Sequence, residues 1–158
     1  MDIDRLDLGI LKWDHRFLEM GRLISTWSKD PSTQVGAVIV DDERRVVSLG
    51  YNGFPIGISD DFRLDNRNTK YKMVVHAECN ALLFAAKPLA GCTIYTYPFM
   101  PCPSCAGMIV QSGIDKVVSY KTNTVRWAAD FEVSRKMFEE TDVTLIEYTD
   151  EELARKLR

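Results

Sequence analysis

The first part of the chain has the hydrophobic pattern of one amphipathic helix followed by a hairpin. Apolar residues recur at intervals of three and four from Trp13 to Ser28, and Asp30-Pro31 ends this pattern, which predicts a helix. The runs V-G-A-V-I-V (35–40) and R-V-V-S-L-G-Y (45–51) are rich in β-branched residues and are separated by the polar D-D-E-R. They predict two antiparallel strands joined by a turn.

The rest of the chain alternates between helical and strand patterns. After G-Y-N-G-F-P-I-G, a polar stretch without apolar periodicity reaches Lys72, and it predicts a long loop near a functional site. The patterns that follow predict strands over 92–97, 116–120 and 143–148 and helices over 77–86, 103–111 and about 125–140. The last residues, D-E-E-L-A-R-K-L-R, predict a short charged helix or a frayed end.

This order of elements predicts the fold class. Strand-helix-strand units build a parallel sheet with helices on its faces, and here the antiparallel hairpin precedes them. We therefore expect an α/β protein with a three-layer α/β/α architecture, in which a five-stranded mixed sheet carries helices on both faces. Residues 1–158 are expected to form a single domain.

Composition and charge restrict the classes of partner. The 158 residues are 46% hydrophobic and 27% charged with a net charge of -3, which is typical of an ordinary globular domain. Without a strong basic excess, we expect no long nucleic acid as partner, although a single nucleotide needs only a few local donors. The acidic N-terminus has no apolar core of signal-peptide length, and no run is long enough to span a membrane. We expect a cytoplasmic protein.

Cysteine spacing indicates a metal site. In a reducing cytosol, the clustering of Cys79, Cys92, Cys102 and Cys105 favours metal binding over disulfide pairing. Cys102 and Cys105 form a C-x-x-C turn, and together with His76 they make three good zinc ligands, each at a predicted helix start. Helix N-termini lower thiol pKa values and so favour binding of metal by thiolates. Three protein ligands leave the fourth tetrahedral position of one zinc ion per chain to water.

Glu78 lies two residues after His76, where a carboxylate could take a proton from that water and hand it to a substrate nitrogen. The pattern H-A-E followed by P-C-P-S-C is typical of zinc nucleobase deaminases. An alternative is a closed structural site in which Cys79 is the fourth ligand. This alternative leaves a buried Glu78 beside thiolates without a role, and Cys79 more often packs as a small hydrophobe.

Five blocks of sequence carry a resemblance to the deoxycytidylate (dCMP) deaminases. The blocks stand in the family's order, and the first two narrow the resemblance from the wider cytidine deaminase superfamily to dCMP. It implies a cytidine-deaminase-like fold and conversion of dCMP to dUMP with release of ammonia, which supplies thymidylate synthesis. The blocks are S-K-D-P-S-T-Q-V-G-A-V-I-V (28–40), L-G-Y-N-G-F-P (49–55), V-H-A-E-C-N-A-L-L-F (75–84), Y-P-F-M-P-C-P-S-C-A (97–106) and I-V-Q-S-G-I-D-K-V-V (109–118).

The resemblance also implies roles for single residues. It assigns the zinc ligands to His76, Cys102 and Cys105 and the proton shuttle to Glu78. Asn52 matches the family asparagine that contacts the sugar, where an amide can both donate to and accept from a hydroxyl. The alternative for Asn52-Gly53 is an ordinary hairpin turn.

Further contacts with the substrate are expected from three places. The Ala77 backbone N–H would donate to the base carbonyl, and main-chain carbonyls around Pro98 to Met100 would accept from the exocyclic amine. For the phosphate we predict Lys29 with Ser32 and Thr33. Lys29 could equally be a surface lysine, with Arg or Lys residues of the long loop serving instead.

Regulation is a further implication of the resemblance. Many dCMP deaminases are homohexamers activated by dCTP and inhibited by dTTP at a site near the Y-N-G loop, and a regulatory nucleotide could bring Mg²⁺. The segment T-V-R-W-A-A-D-F-E-V-S-R-K-M-F (124–138) departs from the commoner family pattern. The residues expected at the regulatory site are Gly50, Tyr51, Asn52, Gly53 and Phe54.

Two other functions compete with dCMP deamination. One is deamination of another cytosine or adenine compound, including a tRNA adenosine, although an acidic chain disfavours tRNA. The other is a non-catalytic, zinc-stabilised module that binds nucleotides. The aromatic residues Trp13, Trp27, Trp127 and Phe84 are expected to fill the core or subunit contacts.

Overall fold

A computed structural model describes the backbone of residues 3–156 and the side chains of residues 9–154. Its centre is a five-stranded sheet with the order β2-β1-β3-β4-β5. β1 is antiparallel to both β2 and β3, whereas β3, β4 and β5 run parallel. The strands are β1 (Gly36–Val40), β2 (Val46–Tyr51), β3 (Thr93–Tyr97), β4 (Lys116–Tyr120) and β5 (Thr144–Tyr148).

Helices cover both faces of this sheet. Two of them, at the two ends of the chain, pack on one face, and three pack on the other. This arrangement confirms the predicted three-layer α/β/α architecture with a mixed sheet. The first face carries α1 (Ile3–Ser25) and α6 (Asp150–Lys156), the second carries α3 (Ala77–Leu83), α4 (Pro103–Ser112) and α5 (Ala128–Glu140), and α2 (Arg67–Met73) lies in the connection before α3.

The two faces build separate cores from alternate residues of the same strands. Ile39 and Ile94 point into the core under α3, α4 and α5, while Val38 and Tyr95 point into the core under α1. Successive side chains of a strand face opposite sides, so a strand covered on both faces needs apolar residues throughout. All five residues of β1 are buried, as this requires. Among the described residues, no helix combines the length and apolar content needed to cross a bilayer.

The first helix is longer than its hydrophobic pattern predicts. It begins at Ile3, ten residues before Trp13, because residues 3–12 contain no proline and little that opposes a helix. Regular helix ends at Ser25, and the backbone N–H of Ser28 still donates to the Ser25 carbonyl in a tighter final turn.

The polar stretch before His76 is not the uninterrupted loop predicted from its sequence. It contains a 3₁₀ turn at Phe62–Asp65 and the helix α2. Side-chain caps start both elements: Asp61 accepts from the Arg63 N–H, and Asn66 accepts from the Thr69 N–H at 3.1 Å. α2 carries no apolar stripe, so a search for periodicity overlooks it.

A glycine lets β2 approach α3 closely. A Cβ at Gly50 would lie 2.2 Å from the Ala77 carbonyl oxygen and 2.5 Å from the Ala81 nitrogen. On the same face of β2, the Ser48 hydroxyl donates to the Ala81 carbonyl at 2.7 Å. The sheet therefore fixes the position of the start of α3.

We expect Gly50→Ala to lower the free energy of unfolding by about 1 to 3 kcal/mol, because the added methyl overlaps backbone atoms that cannot rotate away. The measurement is urea unfolding of the zinc-loaded protein. Gly53→Ala is the matched control, since a Cβ there meets nothing within 4 Å and should change stability by less than about 0.5 kcal/mol. Equal losses in both variants would contradict the close approach.

Candidate active site

Three potential metal ligands converge at one point. The His76 Nδ1 atom lies 3.5 Å from the Cys102 sulfur and 3.4 Å from the Cys105 sulfur, and all three ligand atoms lie within 4.8 Å of one another. A tetrahedral zinc ion bound at about 2.0 Å to nitrogen and about 2.3 Å to sulfur separates these two atoms by about 3.5 Å. The residues present therefore fit zinc.

Two helix starts present these ligands. His76 is the N-cap residue of α3, and Cys102 is the N-cap residue of α4 with Pro103 in the first helical turn. The His76 side chain makes no capping hydrogen bond to α3, and the Cys102 sulfur faces Cys105 one turn into α4. Cys105 follows one turn later in α4. The structure thus agrees with the helix starts expected for these three residues.

The two sulfurs are electrostatically coupled. The hydrogen bond from the Cys105 thiol lowers the pKa of the Cys102 thiol, with the neighbouring His76 acting in the same direction. The same bond, together with burial, raises the pKa of Cys105. Two sulfurs so close hold one negative charge readily, and a second requires a cation between them. A divalent cation bound between the two sulfurs and the imidazole would supply that positive charge.

Glu78 stands next to the ligands in the first turn of α3. It is only 4% exposed, and burial raises the pKa of its carboxyl group. Its own backbone N–H and the neighbouring Cys105 and His76 act in the opposite direction and lower this pKa. A buried acid in contact with a metal ligand is placed to transfer protons at the metal.

The group of possible metal ligands among the described residues does not include Cys79. Cys79 instead lines a surface groove with apolar neighbours that include Leu82 and Leu83. His76 is exposed and Cys102 is half-buried, so solvent reaches one side of the ligand group. This geometry favours an open site over the closed four-ligand alternative.

A cavity opens beside the ligand group. Of the residues predicted to bind substrate, it is lined by Asn52, Ala77, Ser32 and Thr33. Charged and aromatic residues that the sequence did not identify complete its wall. The described residues of the wall are Asp30, Ser32, Thr33, Val35, Asn52, Lys70, Tyr71, Val74, His76, Ala77, Glu78, Phe99, Cys102, Trp127, Asp130 and Phe131.

Asn52 is held rigidly in this wall and is only 7% exposed. Its Oδ1 accepts from the Val35 N–H at 2.8 Å, and its Nδ2 donates to the Thr33 carbonyl at 2.9 Å. Gly53 pairs with Val75 in an antiparallel bridge, so the interpretation of Asn52-Gly53 as a hairpin turn is wrong.

Two residues predicted to bind substrate lie outside the cavity wall. The side chain of Lys29 is 71% exposed, and its ammonium pairs with Asp60 at 3.2 Å. Pro98 follows a cis peptide bond after Tyr97 and lines a different surface depression, together with residues of α1.

The residues expected at a regulatory site occupy different environments. Gly50 lies against α3, and Tyr51 is exposed, with its ring edge-on to Trp27 at 6.1 Å between centroids. Phe54 is half-buried. Only Asn52 of this group lines the cavity.

The sequence did not identify the aromatic part of the wall. Phe99 and Phe131 pack with ring centroids 5.6 Å apart, and Trp127 lies beside them at the cavity. Trp127 also packs against the core, as the sequence predicts. Its place in the cavity wall was not predicted. Its position depends on the turn before α5, which brings it across to the zinc ligands.

Comparison with known proteins decides the family. Residues 11–121 match the family described as the cytidine and deoxycytidylate deaminase zinc-binding region. The chain belongs to this family. The family and its fold make the protein a hydrolytic deaminase, which confirms the resemblance found in the five sequence blocks.

Individual proteins similar to this chain are also deaminases. A protein of Aliivibrio fischeri named "uncharacterized deaminase in luxG 3'region" is 47% identical, covering 85% of this chain and 92% of its own. The deoxycytidylate deaminase of Mus musculus is 37% identical, covering 88% and 81%. The crystal structure of the dCMP deaminase from cyanophage S-TIM5 with dCMP and dUMP has a TM-score of 0.70 and 22% identity, covering 84% and 94%. At that identity the likeness establishes the fold.

We expect Cys102→Ser to weaken zinc binding by more than about 100-fold, because it replaces a thiolate ligand with a poor one. The measurement is zinc content by elemental analysis after equilibration with a competing chelator. Cys79→Ser is the matched control and should keep the zinc content of the unmodified protein. Zinc loss in the Cys79 variant would instead support a closed four-ligand site.

Proposed function

We propose that this protein deaminates dCMP to dUMP by hydrolysis. The observation that carries the proposal is the ligand group at tetrahedral zinc spacing with Glu78 buried against it, inside a cavity that also presents Asn52. Relatives from several animals that are named deoxycytidylate deaminases support dCMP as the substrate.

His76, Cys102 and Cys105 would hold zinc, which when bound supplies Lewis acidity that makes water nucleophilic near neutral pH. Glu78 accepts a proton from the attacking water and delivers it to the ring nitrogen N3. The oxygen of that water bonds to C4 and its second proton reaches the exocyclic nitrogen. The bond between C4 and this nitrogen then breaks, and ammonia leaves. The product is the uracil nucleotide.

The remaining cavity residues orient the substrate. The Ala77 N–H donates to the base carbonyl from the first turn of α3, and Asn52 contacts the sugar hydroxyl. Ser32 and Thr33 lie further along the wall and flank the phosphate. A main-chain carbonyl near Pro98 that accepts from the exocyclic amine completes the predicted set.

We also propose the finer properties that the resemblance implies. These are activation by dCTP and inhibition by dTTP with Mg²⁺, a homohexamer, and a location in the cytoplasm. The segment from Gly50 to Phe54 supports regulation because it joins the cavity at Asn52. Exposed apolar residues such as Leu83 and Phe84 support subunit contacts, and four unpaired thiols support a reducing compartment.

A substrate profile tests the proposal. We expect the highest kcat/KM for dCMP among dCMP, dCTP, deoxycytidine, cytidine and adenosine, followed by the ultraviolet change on deamination and by ammonia release. The same assay with added dCTP or dTTP tests regulation. Higher activity on adenosine or on dCTP would reject dCMP as the substrate.

Replacement of the proton shuttle tests the mechanism. Glu78→Gln should lower kcat about 10²- to 10⁴-fold and retain zinc, because the amide cannot accept the proton. Glu139→Gln is the control, since Glu139 is exposed on α5, and it should change kcat by less than about twofold. Full activity in the Glu78 variant would remove this residue from the mechanism.

A further inference from the structure

Lys70 is a buried cation in the wall of the cavity. This residue of α2 is 4% exposed, and its ammonium lies 3.0 Å from Asp30 Oδ1 and 3.2 Å from the Ser32 hydroxyl. Of the described residues that line the cavity, Lys70 is the only lysine or arginine. A fixed positive charge is therefore available inside the site, away from the metal ligands.

Stability alone does not account for this charge. Desolvation of two ions costs several kcal/mol each, and replacing a buried ion pair with apolar residues is often neutral or stabilising. An ammonium also carries three N–H donors, and the contacts of Lys70 with Asp30 and Ser32 use two of them. The third can donate to an anion in the cavity.

Asp30 holds this ammonium in place. Its Oδ1 accepts from the Ser32 N–H at 2.8 Å and from the Thr33 N–H at 3.1 Å, in addition to Lys70. Its Oδ2 lies 3.5 Å from Asn52 Nδ2. The carboxylate is thus fixed by the loop, and Lys70 is oriented before any ligand arrives.

Contacts link the polar groups of the cavity wall from the metal ligands to Lys70. The bridge between Gly53 and Val75 brings Asn52, which precedes Gly53, close to His76, which follows Val75. Asp30 in turn contacts both Asn52 and Lys70. A base at the zinc end and a sugar at Asn52 direct the 5'-phosphate towards this lysine.

We infer that the Lys70 ammonium, positioned by Asp30, binds the 5'-phosphate of the substrate and sets the preference for a nucleoside monophosphate over the nucleoside. This inference rests on the proposed dCMP deamination. Lys70 belongs to the long loop whose Arg and Lys residues were the alternative to Lys29 for the phosphate. The Lys29 side chain is exposed and paired with Asp60.

Two arginines near the cavity add positive charge. The Tyr71 hydroxyl, in the cavity wall, accepts from Arg126 at 2.7 Å and from Arg67 at 3.2 Å. With Lys70, they place three positive charges at or near a wall that also carries the acidic residues Asp30, Glu78 and Asp130. Exposed charges of this kind steer an anion, while the buried lysine binds it.

The test compares dCMP with deoxycytidine. Lys70→Gln removes the positive charge, while its amide can still donate to Asp30 and so leaves the contact between Asp30 and Asn52 in place. We expect kcat/KM for dCMP to fall about 30- to 100-fold, mainly through KM, and kcat/KM for deoxycytidine to change by less than about threefold. Lys72→Met, which removes an exposed lysine of the same helix, should change neither value by more than about twofold.

Equal losses on both substrates, or a selective loss of dCMP activity in Lys29→Met instead, would overturn the inference. A crystal structure of the unmodified protein with dUMP is independent of how the variants fold. It should place a phosphate oxygen about 2.7 to 3.2 Å from Lys70 Nζ, and a phosphate bound elsewhere would reject the role. Failure of the unmodified protein to turn over dCMP would reject the proposed function itself, which separates the two results.

Discussion

One ion can be held by ligands from two helices only if those helices begin at the same point, and the rest of this structure depends on that constraint. The first turn of α3 is fixed where Gly50 lets β2 approach its backbone. The start of α4 is fixed because it follows β3 after a short connection. Since β1 pairs with both β2 and β3, the register of three strands determines the distance between the His76 ring and the two sulfurs.

A second constraint is that the buried polar groups of the cavity wall around Asp30 and Asn52 must all have hydrogen-bond partners. Asp30 joins the loop before β1 to α2, and Asn52 joins the same loop to the end of β2. Among the described residues, no buried side-chain nitrogen or oxygen lacks a hydrogen-bond partner. An unpartnered buried group costs about 1 to 3 kcal/mol, so each member of this network holds the others in place. The substrate pocket is thereby largely formed in advance.

The sequence predicts the parts of this protein that local spacing determines. The zinc ligands and Glu78 belong to two short motifs at helix starts, and the strands have buried apolar runs, so both were predictable. α2 was missed because its residues are polar, although Asn66 followed three residues later by Thr69 is the position of a capping interaction. The alternative of an Arg or Lys in the long loop includes Lys70 but does not single it out, because Lys70 meets Asp30 across 40 residues of sequence, a contact that only the tertiary fold creates.

Substrate choice therefore depends on the segments with the weakest sequence signal. Zinc held by His76, Cys102 and Cys105 would activate water whatever the rest of the substrate, whereas Lys70 and Trp127 come from α2 and from the turn before α5. Because Asp30 keeps Lys70 partnered, a nucleoside that lacks the phosphate leaves no buried charge unpaired. Under the proposed role of Lys70, discrimination would then arise from attraction to the phosphate rather than from a penalty for its absence. A site of this design favours the monophosphate by about one to two orders of magnitude, below the 10⁴-fold that an unpaired buried group can enforce.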